Sequence, residues 1–594
     1  MDERIPTDYY ANEVSAQCIS LHSPCDKATF TLEAVRNNVF RVTFTTETHP
    51  LPPHPSIAKP DVQLAITPSL IESDASFVLC TSPEVTATLR TRPTPTLSID
   101  LNGVRLYSDL ANRSYVLNGA GASRYGSYDP KTLHLGLGER AAPFDLSNRN
   151  FRLSALDAAE YDAHRTDPLY KHIPFLIRAT PAGCVGLFST SYSRGTWSVG
   201  GEIDALWGRY EVMRQDYGGL ELYFIVAPSL RSVVQTYAAL VGFPRMIPRW
   251  ALGYLASSMG YAESDSPPAQ TLLNQFPRLC QQYDIPCSAM HLSSGYTVSV
   301  KPPNTRHVFT VNRKRFPDPS RLFKEMSDVG IKIIANVKPY VLETHPAFWE
   351  LAHQRAFFET TEGKPAMTRL WSAGLGENGR GSWLDMTSGA AQKWWYTGIK
   401  TLIEMGVAGI WNDNNEFTLS SDKDLCFGTD EDSNHKTAQV GSFGRMVNTD
   451  IMADVSLRAL SDSKPRQKTL LLTRSATAGT MRYANSSWSG DNWTSWNTLL
   501  GNNAMGLTAG LCLIQVPIDV LFALMFSSHM GTIAADLRVP DRRRSSFSAG
   551  CNLRHSPRDS AFTLGNQRKM IHRRHSTSPS PGPIFLFYRK YEMP

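Results

Sequence analysis

Two carboxylates three residues apart follow a short apolar run in "GIWNDNNEF", Gly409 to Phe417. The preceding "KWWYTGIKTLIEMGVA" reads as a helix leading into a strand, so Asp413 and Glu416 stand at the exit of a buried strand. Ionisable groups there are costly unless they pair, bind or catalyse. A second stretch, "MRYANSSWSGDNWTSW" from Met481 to Trp496, sets one carboxylate, Asp491, among aromatic residues. Such rings make platforms for the apolar faces of sugars, and a carboxyl near Trp is placed for a raised pKa. Two carboxylates from different strands can hydrolyse a glycosidic bond, one attacking the anomeric carbon and the other protonating the leaving oxygen. Blander readings stay open at this point. Asp-x-x-Glu after a strand also suits a helix cap, a loop salt bridge or a metal ligand, and Gly490-Asp491-Asn492 suits an ordinary turn. No GxGxxG or Walker pattern occurs, and His291 and His435 lack partners at metal-ligand spacing. No metal or cofactor is expected.

Residues 1–245 read as a mostly β domain, a sandwich. Segments such as "NVFRVTFTT", "VTATLRT", "CVGLFST" and "LELYFIVA" are short, rich in Val, Thr, Phe and Tyr, and divided by Gly, Pro and Asn. From residue 246 to 515 strands alternate with helices: "IPRWALGYLAS", "IPCSAMHLSS", "IKIIANV", "VAGIWND", "TLLLTRS" and "LCLIQ" are the expected strands. Repeated units of this kind predict a parallel sheet, and polar groups gathered after the strands favour a (β/α)8 TIM-type barrel. Residues 516–594 change character, with "DRRRSSFSAGCNLRHSPRDS" and "RRHSTSPSPGP" basic, Ser/Pro-rich and without periodicity.

The net charge of +6 is carried by that last segment: Ala534–Pro594 holds 12 Lys+Arg against 4 Asp+Glu, which leaves the preceding residues at −2. No nucleic-acid-binding face follows from such a distribution. No apolar run approaches the ~20 residues of a membrane helix, and "MDERIPTDYYANE" lacks the basic start and apolar core of a secretory signal. The 9 cysteines form no CxxC pair. Reduced thiols and a cytoplasmic location are expected. The sequon Asn492-Trp493-Thr494 beside Asp491 points the same way, because a glycan there would obstruct the pocket.

Several ordered blocks resemble glycoside hydrolase family 31, the α-glucosidase and α-xylosidase family. "GIWNDNNEF" is similar to its nucleophile block, and "TRSATAGTMRYANSSWSGDN" to its acid/base block. "LGLGER", "LDAAEYDAHRTDPLYKHIPFLI" and "FTVNRKRFPDPSRLFKEM" match further family stretches. The resemblance implies a retaining α-glycosidase acting on α-glucosides or related sugars through a covalent glycosyl-enzyme. Asp413 would be the nucleophile, Asp491 the general acid/base, and Glu416 would hydrogen-bond around the nucleophile. Asp157 and Arg474 would hold sugar hydroxyls, while Trp411, Trp488 and Trp371 would wall the pocket. The expected partner is a carbohydrate, and the oligomeric state is open.

Three departures from the family pattern matter. Asn414 stands where Met is usual, a tolerable change of lining. In "HLSSGY", Ser293 and Gly295 replace two acids, so a contact to the sugar is lost or altered. After "GNNAMGLTAGLCLIQ" the chain reads "VPIDVLFALMFSSHMG" where a Gly-His-Asp segment would follow, so the eighth barrel strand is expected to be missing. That departure keeps a non-catalytic sugar-binding remnant open as an alternative. An α-transglycosylase on the same scaffold is another.

Overall fold

A computed structural model describes residues 3–515, apart from 56, 59–67, 207, 373–377, 430–434 and 493–494. The expected segment 516–594 and the sequon residues Trp493 and Thr494 lie outside the described residues.

The N-terminal part is built from three antiparallel sheets of 8, 6 and 5 strands. In the strand Ala28–Arg36 buried residues alternate with partly exposed ones, the mark of a sheet with one face in the core. Phe40 and Phe44 of the 8-stranded sheet, Trp197 and Met213 of the 6-stranded sheet, and Leu79 and Ile99 of the 5-stranded sheet share one apolar cluster. That shared core is why short strands divided by turn residues assemble as stacked layers.

The barrel part begins after the helix Leu230–Val241. Among the described residues it holds six parallel strands in spatial order: β1 (Tyr254–Ser258), β2 (Cys287–Leu292), β3 (Lys332–Val337), β4 (Gly409–Asn412), β5 (Leu470–Thr473) and β6 (Ser486–Ser487). Consecutive strands pair in parallel, with one register shift between β1 and β2; Asn336 lies opposite Trp411 and Asn412 opposite Thr473. They curl into part of a barrel wall. The intervening helices are α1 (Ala269–Gln282), α2 (Pro319–Asp328), α3 (Gly389–Glu404) and α4 (Val447–Ser463), and α5 (Trp496–Leu511) follows β6. Local chemistry fixes where they start. Asp318 caps α2 by accepting from the Arg321 N–H at 3.0 Å, with Pro319 in the first turn, and Ser495 caps α5 through Thr498 N–H. In α3, Trp395, Ile399, Leu402 and Ile403 recur at helical spacing and are buried.

One expectation needs correction. "LCLIQ" is no strand: α5 runs to Leu511, Cys512 caps it, Leu513 turns at φ 69°, and Gln515 alone reaches the sheet, accepting from Ser487 N–H at 3.0 Å. Helical continuation won because α5 keeps its apolar face packed to the end. The strand in that region is instead Ser486–Ser487, too short for periodicity to reveal. The excursion between β3 and α3 carries its own antiparallel sheet, formed by Tyr340–Leu342, Asn378–Trp383 and Met367–Trp371. No described helix is long and apolar enough to cross a membrane, and the eight described cysteines are unbridged.

Candidate active site

Strand periodicity builds the site. Inside the barrel wall Leu255, Ala289, Ile334, Trp411, Leu470, Leu472 and Trp488 form one packed layer. Side chains two positions further along each strand point to the same face. Above Trp411 this gives Asp413, above Leu472 Arg474, and above Ile334 Asn336 followed by Lys338. Four polar groups thus rise from one apolar floor at the carboxyl ends of β3, β4 and β5.

Arg474, 2 % exposed, is the hub. Its guanidinium makes a bidentate pair with Glu416 at 2.8 and 2.7 Å. It also lies 3.1 Å from Asp157, 3.4 Å from Asp413 and 3.4 Å from Asp491. The Tyr170 ring backs it, 4.8 Å from ring centre to guanidinium carbon. Ser475 Oγ donates to Glu416 at 2.9 Å, so both Glu416 oxygens are engaged and its carboxylate holds Arg474 in place. Burial raises the Glu416 carboxyl against the pull of that guanidinium.

Asp413 accepts from Asn336 Nδ2 at 2.9 Å, from Lys338 Nζ and from the Asn414 N–H at 2.9 Å. Burial works against its ionisation, but Lys338 and Arg474 outweigh burial and hold the carboxyl well below its usual range. Asp491 has the opposite environment. Burial in the pocket wall, with Asp157 and Asp413 nearby, pushes it up to about 7 against Arg474. Its side chain keeps 41 % of its surface open at the pocket mouth, where water moderates that rise. Two carboxyls on the flanks of one guanidinium are therefore pushed in opposite directions, one down and one up, the arrangement an acid and a nucleophile require.

The segment carrying Asp491 is gripped by the N-terminal domain. Lys171 Nζ donates to Trp488 O at 2.8 Å and Tyr161 to Ser489 O at 2.9 Å. The Glu160 N–H donates to Asp491 O at 2.6 Å, and the Asp491 N–H to Tyr170 Oη at 3.1 Å. The strand Lys171–His172 pairs in parallel with Ala476–Thr477, just beyond Arg474. Gly490 is required here: its φ is +84°, and a Cβ would fall 2.0 Å from Tyr170 Cε2. Asp157, on the same N-terminal loop, accepts from Asn414 Nδ2 at 3.0 Å.

The other sequence-derived candidates fall differently. Trp411 and Trp488, 4 % and 1 % exposed, pack edge to face at 5.3 Å. They form the floor beneath the carboxylates, rather than side walls. Trp371 is partly exposed and lies against two cations, Arg306 at 3.6 Å and Lys338 at 5.0 Å. Ser293, 5 % exposed, follows β2 on the inward register. Asn414 does more than line the pocket: at φ 48° it joins Lys338 to Asp157. Sequence reading passed over Asn336, Lys338, Tyr170, Lys171 and Arg306. The first two could have been found from "IKIIANVKPY", where they continue the inward register of Ile334. Among the described residues no group of three or more His, Cys, Asp or Glu could hold a metal ion.

Two family models match the chain in tandem. The glycosyl hydrolases family 31 TIM-barrel domain covers residues 244–518, and the glycosyl hydrolase 31 N-terminal galactose mutarotase-like domain covers residues 29–197. The chain belongs to glycoside hydrolase family 31. Its identity to two curated family 31 members is low. It is 25 % identical to alpha-glucosidase 2 of Bacillus thermoamyloliquefaciens, over 63 % of this chain and 45 % of that protein. It is 26 % identical to an alpha-glucosidase of Saccharolobus solfataricus, over 66 % of this chain and 55 % of that protein. The chain thus spans about half the length of these curated relatives. Among solved structures, a family 31 dextranase from Flavobacterium johnsoniae complexed with isomaltotriose superposes with a TM-score of 0.71. That match has 19 % identity and covers 86 % of this chain and 60 % of the dextranase. An alpha-xylosidase from a soil metagenome, complexed with xylose, gives a TM-score of 0.69 at 17 % identity, over 85 % and 71 % of the two chains. The fold is that of family 31.

Proposed function

We propose that this chain is a retaining α-glycosidase that hydrolyses α-glucosides or related α-glycosides through a covalent glycosyl-enzyme. The observation that carries the reading is the asymmetry of Asp413 and Asp491 about Arg474, one held ionised and the other pushed up to about 7. Ionised Asp413 attacks the anomeric carbon while protonated Asp491 gives its proton to the leaving glycosidic oxygen. Asp491, then a carboxylate, takes a proton from water, whose oxygen attacks the same carbon and releases Asp413. Both steps invert the anomeric centre, so the α configuration is kept.

The surrounding groups prepare these steps. Asn336 and Lys338 grip Asp413 Oδ2 and orient the carboxylate. Glu416 fixes Arg474, and Arg474 with the half-exposed Asp157 offers a donor and an acceptor to sugar hydroxyls. The names of the relatives, α-glucosidase and α-xylosidase, support an α-linked sugar as the substrate. The test is the stereochemistry of the first product. Proton NMR of freshly hydrolysed 4-nitrophenyl α-glycoside is expected to show the α-anomer first, before mutarotation. Initial release of the β-anomer would overturn the reading.

A further inference from the structure

A small pocket beside Asp413 is lined on its polar side by Ser294, Thr297, Arg306, Asn336, Lys338 and Tyr340, and by no carboxylate among the described residues. Arg306 is 4 % exposed. Its Nε donates to Ser294 Oγ at 3.0 Å, its Nη2 pairs with Glu263, and its plane lies 3.6 Å from the Trp371 ring centre. Its Nη1 is buried with no partner among the described residues. Buried guanidinium N–H groups are rarely left unmet, because their desolvation goes uncompensated. Lys338 approaches the same indole ring, so two cations share one wall.

The two acids that the sequence lacks at Ser293 and Gly295 belong to this picture. A Cβ at Gly295 would fall 2.3 Å from Glu263 Cγ, so the space for an acid is taken by a glutamate already committed to Arg306. The wall has changed from accepting to donating. One acceptor does remain, Asn336 Oδ1, unpartnered and suited to a sugar hydroxyl. Catalysis adds a second argument. When Asp413 becomes an ester it loses its charge, and Lys338 loses its anion next to Arg306 and Arg474.

We infer that the glycone taken by this pocket carries a carboxylate, as in an α-hexuronide, and that Arg306 Nη1 recognises it. The inference rests on the glycosidase reading above. Asp491 is held on the Arg474 side of Asp413, and Arg306 lies on the Lys338 side. The carboxylate therefore sits away from the bond being cleaved and leaves the double displacement unchanged.

The test compares 4-nitrophenyl α-D-glucuronide, α-D-glucoside and α-D-xyloside with the wild-type chain. One charge-assisted hydrogen bond is expected to favour the glucuronide by ~10–100-fold in kcat/KM. Arg306→Gln should collapse the glucuronide-to-glucoside ratio by a similar factor, and Arg306→Lys should recover part of it. Thermal melts establish that both variants fold. A glucoside cleaved as well as the glucuronide, or a ratio unmoved by Arg306→Gln, overturns the inference and leaves the glycosidase reading standing. If none of the three is cleaved, the glycosidase reading fails, and calorimetry of free D-glucuronate against D-glucose decides the pocket. Tighter glucuronate binding upholds the inference; equal or absent binding ends it.

Discussion

Asp413 and Asp491 share a guanidinium and yet are shifted in opposite directions because their other neighbours differ. Asp413 has Lys338 and Asn336; Asp491 has Asp157 and the pocket mouth. The pH profile should follow. The proposed mechanism requires protonated Asp491, so kcat/KM is expected to fall as pH rises through about 7. Asp157 raises the Asp491 carboxyl, so Asp157→Asn should move that alkaline limb to lower pH, whatever it does to the plateau. A limb that stays put or moves upward would refute the assignment. Asp413→Asn should cut kcat/KM by about 10⁴-fold or more, because it removes the proposed nucleophile. It should also cost stability with a defined pH dependence. The folded carboxyl titrates below its unfolded value, so its contribution is present above the unfolded pKa and is lost as pH falls through the folded one. The melting-temperature gap between wild type and Asp413→Asn is therefore expected to be open at neutral pH and to narrow in acid.

At the scale of elements, the segment after β6 that carries Asp491 has almost no secondary structure of its own and takes its position from Tyr170 and its N-terminal neighbours. Gly490→Ala would push a methyl into that ring from a left-handed backbone, displacing Asp491. A displacement near 1 Å is expected to lower kcat by ~100-fold, with KM affected less. Unchanged kcat would show that the segment relaxes without moving the carboxyl. The same contrast explains what the sequence made legible. Asp413, Arg474 and Ser293 follow apolar runs that read as strands, and their place just after those runs, together with the family blocks, led to them. Asp491 was found through its aromatic setting and its family block. The two-residue β6 is too short to show periodicity, and the clasp of residues 160–171 on residues 488–492 joins partners more than 300 residues apart in sequence. "LCLIQ" misled for a related reason. An apolar run of that length suits a strand or the end of a buried helix equally, and the packing of α5 decided it.

At the scale of the whole molecule, the site is shared between the N-terminal sheets and the barrel. Lys171, 1 % exposed, pairs with Glu139 at 2.8 Å and donates to Trp488 O at 2.8 Å, so one ammonium ties two N-terminal segments to the strand end that precedes Asp491. Both ends of that pair are out of water, and the ammonium has little alternative solvation. Lys171→Met would strand Glu139 as a buried unpaired carboxyl and free the Trp488 carbonyl. The expected cost is ~3–5 kcal/mol of stability, accompanied by a lower kcat because Asp491 loses part of its anchorage. Adding Glu139→Gln removes the stranded charge, so the double variant should regain stability without regaining kcat, since the carbonyl of Trp488 still lacks its donor. Denaturant unfolding and steady-state kinetics on the single and double variants separate the two effects. Joint recovery of stability and kcat would mean that the pair acts on the fold alone and that the acid/base segment holds itself.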